Sequence, residues 1–278
     1  MRKLTFVFGW LLLCSYGLAA KPKPGEIPIK FPAVKTSARA GDWIMCPPRL
    51  WLDEAFQKGV DKQTFIFYAA TMDKPGSVES SIKSLMGESQ LMPNSLIIPL
   101  KRGQKAKVGD LLLSWWQSGS GLSRAIVVKG GTPQSPRVLY LDMDLDNPAK
   151  IAQKEDTLKP DSFHALNQPF EPGTSVAVRE GSRWKHAQVI RVEGKQVLLL
   201  GFAGRVTVAA KSDCVGLPVR PPGLKPGTLV MAKNAYGMIE PAKVVRVDAR
   251  IGRVFVEFTG GLKKTLGVAF GDLTVKLP

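Results

Sequence analysis

The sequence reads as an all-β chain: a tandem series of small barrels, with helical insertions in its N-terminal part. Three observations predict this. Short runs rich in Val, Ile and Leu are punctuated by Gly, Pro and Asp, and few stretches hold a helical period for long. An ordered set of segments recurs in the last third. Units this short, with about five strands each, are expected to close on themselves, because a small open sheet leaves unpaired edges.

The repeat is plainest in the two C-terminal units. Pro172-Gly173-Thr174 before an apolar strand recurs as Pro226-Gly227-Thr228, and Ala187-Gln188-Val189 recurs as Ala242-Lys243-Val244. Phe202 followed by Ala203-Gly204 matches Phe258 followed by Thr259-Gly260, and each unit closes on an acid, Asp213 or Asp272. The template also fits upstream. Val108-Gly109-Asp110 opens a unit, Arg124-Ala125-Ile126 lies on its second strand, Val138-Leu139-Tyr140 on its third, and Asp161-Ser162-Phe163 closes it. A first copy opens at Ala40-Gly41-Asp42 and closes at Asn94-Ser95-Leu96. It is expected to hold a strand over 64–68 and helical insertions near 50–58 and 78–86. The resulting organisation is a signal peptide at 1–20, a Pro/Lys-rich arm at 21–39 expected to be extended and mobile, and units at 40–104, 105–167, 168–220 and 221–278. The last two are expected to be independent barrels.

The residues of this template resemble Tudor-type members of the SH3-like barrels. The likeness is carried by Gly173, Trp184, Ala187, Val189, Phe202 and Asp213, and in the last unit by Gly227, Ala242, Val244, Phe258 and Asp272. It implies a binding module. In Tudor domains that read methylated lysine or arginine, several aromatics form a cage. Here Ala-Gly and Thr-Gly follow Phe202 and Phe258, so the cage is incomplete.

Export is expected from Met1-Arg2-Lys3, the apolar run over 4–13 and the small residues Gly17, Ala19 and Ala20. That run is too short to span a bilayer, which takes about 20 residues, and no later stretch in the mature chain is long and apolar enough. The mature chain keeps Cys46 and Cys214. They are either bridged or separately buried as small hydrophobes. Formal charge is +16, and +14 once Arg2 and Lys3 leave with the signal peptide. It is unevenly spread: residues 168–278 hold 17 basic and 8 acidic residues, whereas residues 40–167 hold 15 and 14.

Catalytic patterns are lacking. There are two histidines, His164 and His186, neither in a family signature, and His186 is expected at a strand edge on the surface. Asp142, Asp144 and Asp146 alternate after an apolar strand and are the one candidate cation site. A calcium loop would want Gly and Glu where Asn147 and Gln153 stand. No enzyme activity and no cofactor are expected.

Binding is expected through aromatics and basic groups. Trp115 and Trp116 cannot both face inward on one strand. Tyr140, Trp184 and Tyr236 occupy comparable places near loops. Arg183, Lys185, Arg191, Arg246, Lys263 and Lys264 are the expected contacts to a polyanion. The expected partner is an anionic envelope polymer such as peptidoglycan, met in the periplasm or after secretion. The alternative is a structural place in an envelope protein assembly. Nucleic acid ranks third: only Arg183-Trp184-Lys185 interleaves basic and stacking groups, and export opposes it.

Overall fold

A computed structural model describes residues 22–115, 122–141, 155–221, 223–260 and 265–278. The first unit contains β1 (Trp43–Cys46), β2 (Tyr68–Lys74), β3 (Glu79–Ser84), β4 (Ser89–Pro93) and β5 (Ile98–Pro99). The second contains β6 (Leu111–Ser114), β7 (Ser123–Gly131), β8 (Pro136–Tyr140), β9 (Glu155–Thr157) and β10 (His164–Ala165). The third runs through β11 (Ser175–Glu180), β12 (Arg183–Glu193), β13 (Gln196–Gly201), β14 (Val206–Ala210) and β15 (Cys214–Gly216). The fourth runs through β16 (Leu229–Lys233), β17 (Met238–Asp248), β18 (Arg253–Phe258), β19 (Thr265–Ala269) and β20 (Leu273–Thr274).

Every unit is antiparallel and has one strand order: the fifth strand lies beside the first, followed by the second, third and fourth. One turn opens all four. Gly41, Gly109, Gly173 and Gly227 have φ between +80° and +88°, a left-handed conformation that glycine adopts without steric cost. Their N–H groups donate to the carbonyls of Met72, Val127, Val189 and Val244. Those four residues donate back to Asp42, Asp110, Thr174 and Thr228. The Gly-Asp and Gly-Thr pairs visible in the sequence therefore lock the first strand of each unit to its second in the same way.

The sheets are open. Among the described residues no ladder joins a unit's fourth strand back to its fifth, so the expected closed barrels are not what forms. The units cover one another instead. The largest hydrophobic cluster contains Ile44 and Met72 of the first unit, Leu113 and Ile126 of the second, Ile190 and Leu198 of the third, and Val230 and Val254 of the fourth. The expected independence of the last two units also fails. Trp184 pairs with Ile239 and Lys185 with Met238, which fuses them into one ten-stranded sheet. The cause is local: β13 pairs β12 only from Ala187 onward, and the start of β17 takes the edge left free before it. Both long strands are kinked at matching bulges, between Val189 and Arg191 and between Val244 and Arg246.

Three local expectations are corrected. A helix forms over α1 (Arg49–Lys58), with Leu52 and Ala55 buried, but the second expected helix is β3. There Ser80 and Ile82 alternate inward, and Ser80 is satisfied by donating to Asn94 Oδ1 at 2.6 Å, so a polar residue sits on the core face. Residues 64–67 join no ladder; the strand begins at Tyr68, and Phe65 N–H donates to Gly204 O of the third unit at 2.8 Å. The basic arm is packed down rather than loose. Ile27, Val34 and Ala38 are buried, and Asn94 Nδ2 donates to Val34 O. Cys46 and Cys214 are free, buried thiols, their pKa values raised by burial to about 12 and about 11. No described helix is long and apolar enough to cross a membrane.

Candidate binding cleft at the junction of three units

A buried ionic cluster ties the second, third and fourth units together. Arg124 on β7 forks onto Asp272, with Nη1 to Oδ1 at 2.8 Å and Nη2 to Oδ2 at 2.9 Å. Ser175 Oγ donates to Asp272 Oδ1 at 2.7 Å, and His186 Nε2 lies 2.8 Å from the same oxygen. Lys233 Nζ reaches Oδ2 at 3.5 Å. Burial acting on Asp272 alone would raise its pKa, but Arg124, Lys233 and His186 hold it well below the usual carboxylate range. His186 is pushed down, chiefly by burial and further by Lys233 and Arg124, with Asp272 opposing. It is therefore neutral at neutral pH, with its proton on Nε2 facing the carboxylate.

Serine, histidine and aspartate meet here without the geometry of a nucleophilic relay. A relay places the imidazole between acid and hydroxyl, one ring nitrogen to each. Here Ser175 Oγ and Asp272 Oδ1 both approach Nε2, and Ser175 is only 1% exposed.

Acid is expected to weaken this junction. The folded pKa of His186 lies below its unfolded value of about 6.5, so the unfolded chain binds the proton first as pH falls. Stability that is full above that value is lost on acidification towards the folded pKa. The contribution of Asp272 holds above about 4 and disappears only in stronger acid, as pH falls through its depressed folded pKa. The melting temperature is expected to decline from pH 7 to pH 5, and His186→Gln to flatten part of that decline. His164, lowered mainly by burial, keeps the remainder. A variant curve as steep as the wild type's contradicts the assignment.

Beside this cluster lies a cleft of about 360 Å³. Thr64, Phe65 and Ile66 of the first unit form one wall. His186, Gln188, Leu200 and the Phe202–Gly204 turn of the third unit form another, and Lys233 and Gly237 of the fourth complete it. The turn is held by the Phe65 N–H to Gly204 O bond, and Ala203 sits at φ +55°. Phe202 is 58% exposed at the rim, its ring against Gly237.

The residues expected to bind are scattered relative to this cleft. Tyr236, 77% exposed, lies next to Gly237 at its edge. Tyr140 is fully buried and donates to Trp115 O at 2.8 Å, so it is a core residue rather than a contact. Trp115 is half-buried and stacked on Trp43 at 6.4 Å, joining the first two units. Trp184 is half-buried against Ala177, Leu217 and Ile239. Arg191 is also corrected: Nη2 donates to the Asn94 and Ile97 carbonyls at 3.0 and 2.8 Å, clamping the third unit to the first, and burial lowers its pKa. Arg183 is exposed, Lys185 pairs with Glu180, and Arg246 lies over the Phe255 ring at 3.4 Å and 3.7 Å from Asp248. Trp116, Lys263, Lys264, Asp142, Asp144 and Asp146 lie outside the described residues. Among the described residues no acidic, His and Cys cluster is suited to a metal.

No family model matches the chain. No curated protein matches it either. Among solved structures, it is similar to the crystal structure of ADCP1 tandem Agenet domain 3-4, at 18% identity and a TM-score of 0.23, over 38% of this chain and 79% of that one.

His186, Asp272 and Lys233 are not legible as a site in the sequence. His186 reads as a surface residue, yet it is buried because β17 covers that edge of β12. One local signal is present: Arg124 stands directly before the apolar Ala125-Ile126-Val127-Val128, and an arginine entering a core strand demands a buried acid.

Proposed function

We propose that the chain is an exported, non-enzymatic binding protein, built from Tudor-like modules of SH3 type. In this reading it docks on an anionic envelope polymer such as peptidoglycan through the basic surface of its third and fourth units. One observation carries this. Arg179, Arg183, Lys195, Lys211, Lys225, Lys243 and Lys276 are exposed and have no acidic partner among the described residues. The positive charge of this half is therefore largely uncompensated within the fold and available to a polyanion.

The second reading, a structural subunit of an envelope assembly, is favoured by a different feature. Leu50, Leu85, Met86 and Leu91 of the first unit are all exposed, and Leu85 and Met86 line an apolar cleft of about 290 Å³. A protein partner would cover such a surface.

Retention on purified sacculi across a salt series separates the two. Polyanion docking is expected to weaken steeply once ionic strength passes about 0.1 M, where exposed charges are screened beyond about 10 Å. Arg183→Glu/Lys185→Glu/Lys243→Glu should release the protein at low salt, and the recovered wild-type chain should begin at Ala20 or Lys21 by intact mass. Retention insensitive to both salt and charge reversal overturns polymer docking in favour of the assembly role. A retained Met1 overturns export.

A further inference from the structure

The basic-surface reading leaves the cleft between the first, third and fourth units without a role. Asp272 is the acid of the cluster at its wall, and its shortest contacts are the fork from Arg124, Ser175 at 2.7 Å and His186 at 2.8 Å. Lys233 Nζ lies farther off, at 3.5 Å from Asp272 Oδ2. Lys233, 34% exposed and tied to Asp272 only by that longer contact, thus presents an accessible ammonium at the wall of an otherwise mainly apolar cleft.

We propose that this cleft binds a single carboxylate carried on an apolar or aromatic group, with the Lys233 ammonium taking the carboxylate and Phe65, Leu200 and Phe202 taking the apolar body. The volume of about 360 Å³ suits a small ligand. The wall is preformed, because the Phe202–Gly204 turn is pinned to Phe65 before any ligand arrives. One accessible ammonium selects one anionic group, and an ammonium in apolar surroundings gains more from a carboxylate than from a neutral amide. Such a group occurs at the C-terminus of a peptide ending in an apolar residue and in free aryl or alkyl acids.

The test titrates the full chain with N-acetylphenylalanine, N-acetylphenylalaninamide and 3-phenylpropionate. It reads calorimetry and the amide shifts of Gly201, Gly204 and Gly237. Both acids are expected to bind, and the amide to bind about tenfold or more weakly. Lys233→Met should abolish the preference for acid over amide. Phe202→Ala, at the exposed rim, should weaken acid and amide together. Arg183→Glu/Lys185→Glu should change neither, which separates this site from the basic surface. Tighter binding of the acetylated amino acid identifies a peptide terminus as the source, and tighter binding of 3-phenylpropionate a free organic acid. Equal response to acid and amide, no response to either acid, or an acid preference that survives in Lys233→Met overturns the proposal.

Discussion

Asp272→Ala is expected to lower unfolding stability by about 3–5 kcal/mol, because it breaks the buried fork onto the Arg124 guanidinium and removes the acceptor shared by Ser175 and His186. Both side chains are only 3% exposed, so water cannot replace the lost partner. A domain is stable by about 5–15 kcal/mol, so this single change removes a large share of the total. Arg124→Met/Asp272→Leu should be less damaging than either partner's loss alone, since it removes the charge along with its partner. Urea unfolding of the variants measures this. A loss under about 1 kcal/mol for Asp272→Ala would mean that the fork is not sustaining the fold. The same experiment tests the shared core: the variant should still unfold in one transition, and a separate early melting of the fourth unit would contradict it.

Gly204→Ala is the second large effect. Gly204 has φ +70°, and a Cβ there would lie 2.6 Å from the Phe65 carbonyl oxygen. The left-handed backbone and the backbone contact together are expected to cost about 2–3 kcal/mol. The neighbouring Ala203→Gly is expected to be nearly neutral, because relief of strain at φ +55° is offset by greater freedom in the unfolded chain. Thermal unfolding of the pair checks the contrast. Equal losses at 203 and 204 would show that the contact with Phe65 does not fix this turn.

The parts of the fold that can be read from the sequence are those with local causes. Gly41, Gly109, Gly173 and Gly227 each precede a short polar residue and an apolar strand, and each makes the same turn. What cannot be read depends on partners distant in the chain. Over residues 78–86 the core face includes Ser80, and a polar residue facing inward hides the alternation that marks a strand. Tyr140 and Arg191 look available for ligand because Trp115 O, Asn94 O and Ile97 O, which satisfy them, lie 25, 97 and 94 positions away. Open sheets and shared packing follow from the contact of whole units, for which no single segment carries a signature. The cleft is illegible for the same reason: its walls come from three units.

The fork between Arg124 and Asp272 joins residues 148 positions apart. During synthesis the second unit emerges long before the fourth, so its arginine lacks the Asp272 fork while the chain is still growing. The β7 side of this contact is in place well before Asp272 arrives to complete it. Consolidation of the middle of the protein is therefore timed by the fourth unit, and refolding should be slower than that of an isolated unit with only short-range contacts.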